Sequence, residues 1–252
     1  MRRFLLWYLP LLAALAAAAM FGYGFVSYLR GDTGTPVDTA PRVERPSAPH
    51  ARIVPLILGD SLARGTGDET GLGIGARVVE DLQRKQIPTD KVTNLAVNGA
   101  RSADLLALLQ THHNVREVVA QSNVVIISIG GNDLWGGTDW RNAPPRDPDA
   151  VMGTVLDRIT EIVKIVRQAN PTARVFFVGL YNPFISTPTG GLLTPLVSKW
   201  NSRLAERFAG DPNFVLVPTA DLFAYRDRLS PDRFHPSGEG YGLIARRIAD
   251  SF

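Results

Sequence analysis

The strongest constraint on this chain is a regular alternation of short apolar runs with longer amphipathic ones over residues 53–250. Residues 53–58, 91–97, 123–129, 174–180 and 214–217 are short and rich in Val, Ile, Leu and Phe, which suits buried strands. Between and after them, residues 75–86, 102–121, 149–168, 192–208 and 236–250 carry apolar residues at helical spacing. The 102–121 stretch reads as two helical pieces with Ser102 as N-cap, and Asn170-Pro171 closes the 149–168 helix. Pro236 and Ser237 suit the first turn of the last helix.

Strand–helix alternation of this kind predicts a parallel sheet with helices on both faces. Five strands fit a three-layer α/β/α, flavodoxin-like arrangement of order 2-1-3-4-5. Ligands in such sheets bind outside the carboxyl ends of the strands. Gly59-Asp60-Ser61-Leu62 leaves the first strand there, Asn98-Gly99 the second, and Gly130-Gly131-Asn132-Asp133 the third. In that order the three strands are neighbours about 4.8 Å apart, so a hydroxyl, a Gly amide and an Asn amide converge. Each alone is ordinary turn chemistry. Asp232-Arg233-Phe234-His235-Pro236 adds a carboxylate and an imidazole three residues apart on a tight turn. The Asp can hold Nδ1–H and aim Nε2 at a serine, and the connection from Pro218 is long enough to cross the sheet edge.

Ahead of this domain, residues 4–29 carry no charged side chain. As a helix they span about 39 Å, more than the ~30 Å bilayer core. They read as a membrane anchor (residues 1–30) rather than a cleaved signal peptide, because the apolar run continues past Ala17-Ala18-Ala19. Residues 31–52, with Pro36, Pro41, Pro46 and Pro49, read as a flexible linker, and residues 53–252 as the domain. Arg2 and Arg3 favour an N-terminus inside and Arg30, Arg42 and Arg45 oppose it; long domains translocate largely regardless of such charges, so the domain is expected outside the cytoplasm. The net charge of +3, without a basic run, gives no reason to expect nucleic acid. With no cysteine, disulfides, thiolate nucleophiles and Cys-based metal sites are excluded.

In this order, the Gly59–Leu62, Gly99, Gly130–Asp133 and Asp232–Pro236 blocks resemble those of the SGNH (GDSL) hydrolases. The Leu180-Tyr181-Asn182-Pro183-Phe184 segment makes the chain similar to bacterial membrane-anchored GDSL lipase-like proteins. The resemblance implies an esterase or lipase with Ser61 as nucleophile, His235 as general base and Asp232 as its orienting partner. It also implies an oxyanion hole from the Ser61 and Gly99 amides and the Asn132 side chain, with no metal or organic cofactor. Arg101, after Gly99-Ala100, departs from the commonest family wording. The Gly-x-Ser-x-Gly elbow of another hydrolase fold is absent, since Ala63 stands where its second Gly belongs.

The expected reaction is acyl transfer from an ester through Ser61. The expected substrate is lipid-like or medium-chain, because Trp135, Trp140, Tyr181 and Phe184 lie on loops at the ligand-binding edge. The alternatives are deacetylation of a cell-envelope polysaccharide and a tethered binding module without turnover. His112 and His113 read as exposed helix residues, and Asp60 and Asp133 as turn carboxylates accepting backbone N–H groups. The glycines of 65–67 and 71–75 lack a Walker lysine and dinucleotide spacing, and read as a mobile loop beside Ser61.

Overall fold

The computed structural model describes residues 2–29, 52–135, 147–185, 187, 190–224 and 226–252. Most of the expected linker, together with Gly136, Gly137 and Trp140, lies outside the described residues. The chain divides into two units, Met1–Ala48 and Pro49–Phe252. The first contains helix α1 (Arg2–Leu29), whose Tyr8–Ser27 portion is long and apolar enough to cross a membrane.

In the second unit the order is β1 (Pro55–Gly59), α2 (Ser61–Arg64), α3 (Gly73–Arg84), β2 (Thr93–Asn94), α4 (Ser102–Thr111) and α5 (His113–Gln121). There follow β3 (Val124–Ser128), α6 (Gly131–Leu134), α7 (Pro148–Ala169), β4 (Arg174–Val178), α8 (Thr194–Arg207), β5 (Phe214–Val217) and α9 (Gly238–Ala249). The five strands form one parallel sheet of order β2-β1-β3-β4-β5, as the alternation predicts.

Side chains alternate across a strand, and here both sides are buried. Leu56, Leu58, Val125, Ile127, Val175 and Phe177 face a core closed by α4, α5, α7 and α8. Ile57, Val124, Ile126, Phe176 and Val178 face a second core closed by α3 and α9. The strands therefore read as continuous apolar runs rather than alternating ones.

The register Gly59↔Ser128 sets the carboxyl ends of β1 and β3 level, so α2 and α6 start side by side.

Three expectations need correction. The second strand is much shorter than residues 91–97. As a sheet-edge segment it keeps single N–H bonds from Leu95 to Ile57 and from Val97 to Gly59 but forms a ladder only at Thr93–Asn94. Ser102 is the first residue of α4, not its N-cap. That position is Arg101, whose N–H is received by Asp104. The 65–75 stretch is tied down: Asp68 accepts from Thr70, Gly73 and Arg77, and Tyr241 donates to the Thr66 carbonyl.

Candidate active site

The turn out of β1 needs a glycine. Gly59 has φ +133°, and a Cβ there would sit 1.8 Å from the Ser128 carbonyl oxygen. That close approach lets the chain leave the sheet at once. Asp60 then caps α2, its carboxylate accepting the Leu62 N–H at 3.1 Å. Ser61 is thus the first residue of a helix that starts where the strand stops.

Across the sheet edge, His235 Nε2 lies 2.8 Å from Ser61 Oγ. His235 Nδ1 lies 2.6 Å from Asp232 Oδ2. A carboxylate only accepts, so Nδ1 carries the proton and Nε2 is the acceptor for the serine hydroxyl. The turn that holds this pair is built around Asp232 Oδ1, which receives Ser230 Oγ and the N–H groups of Phe234 and His235. Arg233 makes the bend at φ +59°. Partial burial raises the Asp232 pKa, but these donors outweigh it and hold the carboxyl near 2, so it is ionised throughout the physiological range. Gly67 completes the support: a Cβ there would meet His235 Cβ at 2.8 Å, so the base of the His235 side chain packs directly on backbone.

Asn132 lies on α6. Its Nδ2 donates to the Ala100 carbonyl at 2.8 Å, linking this side chain to the Gly99 turn, where φ is +78°. A second link runs parallel to it. Asp133 accepts the Ser102 N–H at 2.8 Å and the Ser102 hydroxyl at 2.7 Å, and Arg158 of α7 approaches the same carboxylate at 3.4 Å. The Gly99 turn with the start of α4, and the short helix α6 that carries Asn132, are therefore cross-tied twice.

A recess of about 40 Å³ opens beside Ser61, lined among others by Asn132, Trp135, Leu180, Tyr181, Phe234 and His235. Tyr181 is buried and donates its hydroxyl to the Phe234 carbonyl; burial, with Tyr241, Asp60 and Asp232 nearby, pushes its pKa well up. Phe184 is a correction to the sequence expectation. It does not line the recess but is buried behind Phe234, ring centroids 5.6 Å apart. Gly99 is not among the lining residues; it precedes Ala100, whose carbonyl accepts from Asn132 Nδ2. Beneath the recess, burial raises the Asp60 carboxyl to about 7, against the N–H groups of Leu62 and Ala63 and the Ser128 hydroxyl.

His112 and His113 are exposed, and His113 faces Glu117 at 3.2 Å. Sequence reasoning missed Ser230, Gly67, Ser102 and Arg158. Only Ser230 left a signal: a hydroxyl two residues before Asp232 is a usual partner in a turn of this kind.

A five-stranded parallel sheet of this order, with hydroxyl, imidazole and carboxylate chained across its carboxyl edge, defines the SGNH class of α/β/α hydrolases. Within that class the chain belongs to the GDSL-like Lipase/Acylhydrolase family, which it matches over residues 57–243. It is 32% identical over 204 residues to the protein YpmR of Bacillus subtilis (strain 168), covering 78% of this chain and 80% of that one. It is 26% identical over 203 residues to the spore germination lipase LipC of Bacillus licheniformis, covering 72% and 92%. Among solved structures it is similar to the lipase Lip_vut3 from a goat rumen metagenome. That match has a TM-score of 0.62 at 24% identity and covers 79% of this chain and 97% of the other.

Proposed function

We propose that the protein is a carboxylic ester hydrolase that works through an acyl-enzyme on Ser61. The observation that carries this reading is the Ser61–His235–Asp232 chain of contacts at 2.8 and 2.6 Å. His235 takes the Ser61 proton as Oγ attacks the ester carbonyl, and Asp232 stabilises the imidazolium that results. The Ser61 and Gly99 amides and the Asn132 side chain receive the developing oxyanion. His235 protonates the departing alcohol, and water then enters by the same route to release the acid. Binding alone would need none of these groups, which argues against a tethered module without turnover.

For the acyl group, a lipid-like or medium chain is supported by the apolar lining from Trp135, Leu180 and Phe234 and by the name of the LipC relative. A recess of about 40 Å³ takes only the first carbons, so a longer chain runs out past Trp135 and Phe234. The same small size gives a second reading, removal of acetyl groups from a cell-envelope polysaccharide, its footing. Soluble p-nitrophenyl esters of increasing chain length separate the two. The lipid reading expects kcat/KM to rise from acetyl toward medium chains, since each buried CH₂ is worth about 0.8 kcal/mol. It also expects Trp135→Ala to flatten that rise. An optimum at acetyl, untouched by that substitution, favours the deacetylase.

The proposal extends to the rest of the chain. Residues 1–30 anchor the protein, residues 31–52 tether it, and residues 53–252 act outside the cytoplasm, close to a bilayer. The apolar Tyr8–Ser27 span supports the anchor.

A further inference from the structure

Past β4 the chain runs through Gly179 into Leu180–Phe184, and this segment is tied along its length. Thr219 Oγ1 donates to the Gly179 carbonyl at 2.7 Å. The Asn201 side chain of α8 receives the Leu180 N–H and donates to the Leu180 carbonyl, both at 2.9 Å. Buried Asn182 donates to the Gly190 carbonyl and to Thr194 Oγ1, and receives the Phe184 N–H. Between these ties Tyr181 packs its ring on Phe223, centroids 4.1 Å apart, and sends its hydroxyl 2.7 Å to the Phe234 carbonyl. Burial keeps that phenol protonated, so the hydroxyl is the donor.

The Phe234 carbonyl belongs to the peptide unit directly before His235. The N–H of the same unit donates to Asp232 Oδ1 at 2.9 Å. A peptide unit is planar, so holding it at both ends fixes the direction in which the His235 side chain leaves the backbone. Other hydrogen bonds of residues 230–235 stay inside the turn: Ser230 N–H to the His235 carbonyl, Arg233 N–H to the Ser230 carbonyl, and the donors gathered on Asp232. Among the described residues, two hydrogen bonds tie this turn to the rest of the domain, Tyr181 to Phe234 and His235 Nε2 to Ser61 Oγ. Phe234 also packs on Phe184, and the base of His235 on Gly67, but such contacts lack the directionality of a hydrogen bond.

The tie to Ser61 does not last through the reaction. Once Ser61 is acylated, Oγ is an ester oxygen with no hydrogen to give to Nε2. His235 must still stand ready to take a proton from water. We propose that Tyr181 is a positioning residue for deacylation: its hydrogen bond to Phe234 keeps His235 aimed while Ser61 is occupied. In that step the water oxygen bonds to the acyl carbon and a water proton passes to Nε2. The bond from the acyl carbon to Oγ then breaks, and Oγ takes that proton back. During acylation the free Ser61 hydroxyl holds Nε2 itself, so the brace matters less there. This role presupposes the ester-hydrolase reading of Ser61 and differs from the substrate contact expected of Tyr181.

The test is Tyr181→Phe in the full chain, which removes one hydroxyl and keeps the ring. Turnover of p-nitrophenyl butyrate is followed in the steady state and through the first turnover, with the Ser61 adduct measured by intact mass after acid quench. Deacylation is expected to slow about tenfold, so that kcat and KM fall together while kcat/KM stays within about twofold of wild type. A burst of p-nitrophenol and a butyryl group persisting on Ser61 are expected alongside. Phe223→Leu, which loosens the packing on the Tyr181 ring and keeps its hydroxyl, should deacylate as wild type does. Butyryl-Ser61 that decays at the wild-type rate in Tyr181→Phe overturns the proposal, and so does an equal loss in kcat and kcat/KM. Slow deacylation in Phe223→Leu assigns the effect to ring packing and also overturns it, a result that holds even where Tyr181→Phe fails to fold. Wild-type protein that neither turns over the ester nor acquires the adduct overturns the hydrolase reading, and this role with it.

Discussion

At Ser61 the chain passes from strand to helix with no intervening loop, and that turn sets the residue-scale chemistry. The backbone N–H of Ser61 opens a helix, and its hydroxyl faces an imidazole already held in one tautomer by Asp232. Asn132→Ala is expected to lower kcat by roughly 10²–10³ with little change in KM, as loss of one oxyanion donor does. Steady-state kinetics check this, and a change confined to KM would make Asn132 a ground-state binding residue. Asp60 supports a different prediction. Its carboxyl is raised to about 7 by burial, so the folded state keeps a proton that the unfolded chain releases near 3.8. Stability is therefore highest below 3.8 as far as this group is concerned, and is lost as pH rises toward 7. Asp60→Asn keeps the Leu62 cap and removes the titration. Its unfolding free energy from chemical denaturation should match wild type near pH 4 and exceed it at pH 8, by roughly 2–4 kcal/mol at most. Parallel pH profiles for the two proteins would contradict this.

The elements were the part most legible in the residues. The run at 123–129 reads as a strand covered on both sides and that at 174–180 as a further strand, and Val124–Ser128 and Arg174–Val178 are those strands. The four chemical blocks were legible because each leaves a strand at the same edge. What stayed hidden depends on partners distant in sequence. Nothing around Ser102 announces that Asp133, on α6, will receive both its N–H and its hydroxyl. Nothing around Gly67 announces that His235 will pack upon it. Phe184 misled because an aromatic on a site-edge loop faces either substrate or core, and here Phe234 stands in front of it. The Asp133–Ser102 tie gives an element-scale prediction. Ser102→Ala should lower kcat about tenfold, an effect of ~1.4 kcal/mol, through slack between the Gly99 turn and α6. KM should stay near wild type, and Ser102→Thr should restore much of the loss. Unchanged kcat in the Ala variant would reduce the tie to a stability role. Gly59→Ala should cost more than about 3 kcal/mol in chemical denaturation, since the new Cβ has no room against Ser128.

For the whole molecule, the account joins a folded unit, Pro49–Phe252, with a helix long and apolar enough to cross a bilayer. Full-length protein should stay with membranes through carbonate washing, whereas the chain from Ala51 onward should be soluble and active. Release of the full chain, with a new N-terminus near Met20, would mark the helix as a cleaved signal. Everything else rests on the role of one hydroxyl. The most direct measurement is to treat the full chain with a fluorophosphonate and map the adduct by mass spectrometry, following ester turnover in the same samples. The account predicts one phosphonyl group per chain, on Ser61, appearing in step with loss of activity, and neither labelling nor turnover in Ser61→Ala. An adduct on another residue, or a Ser61→Ala protein that still turns over ester, would contradict it.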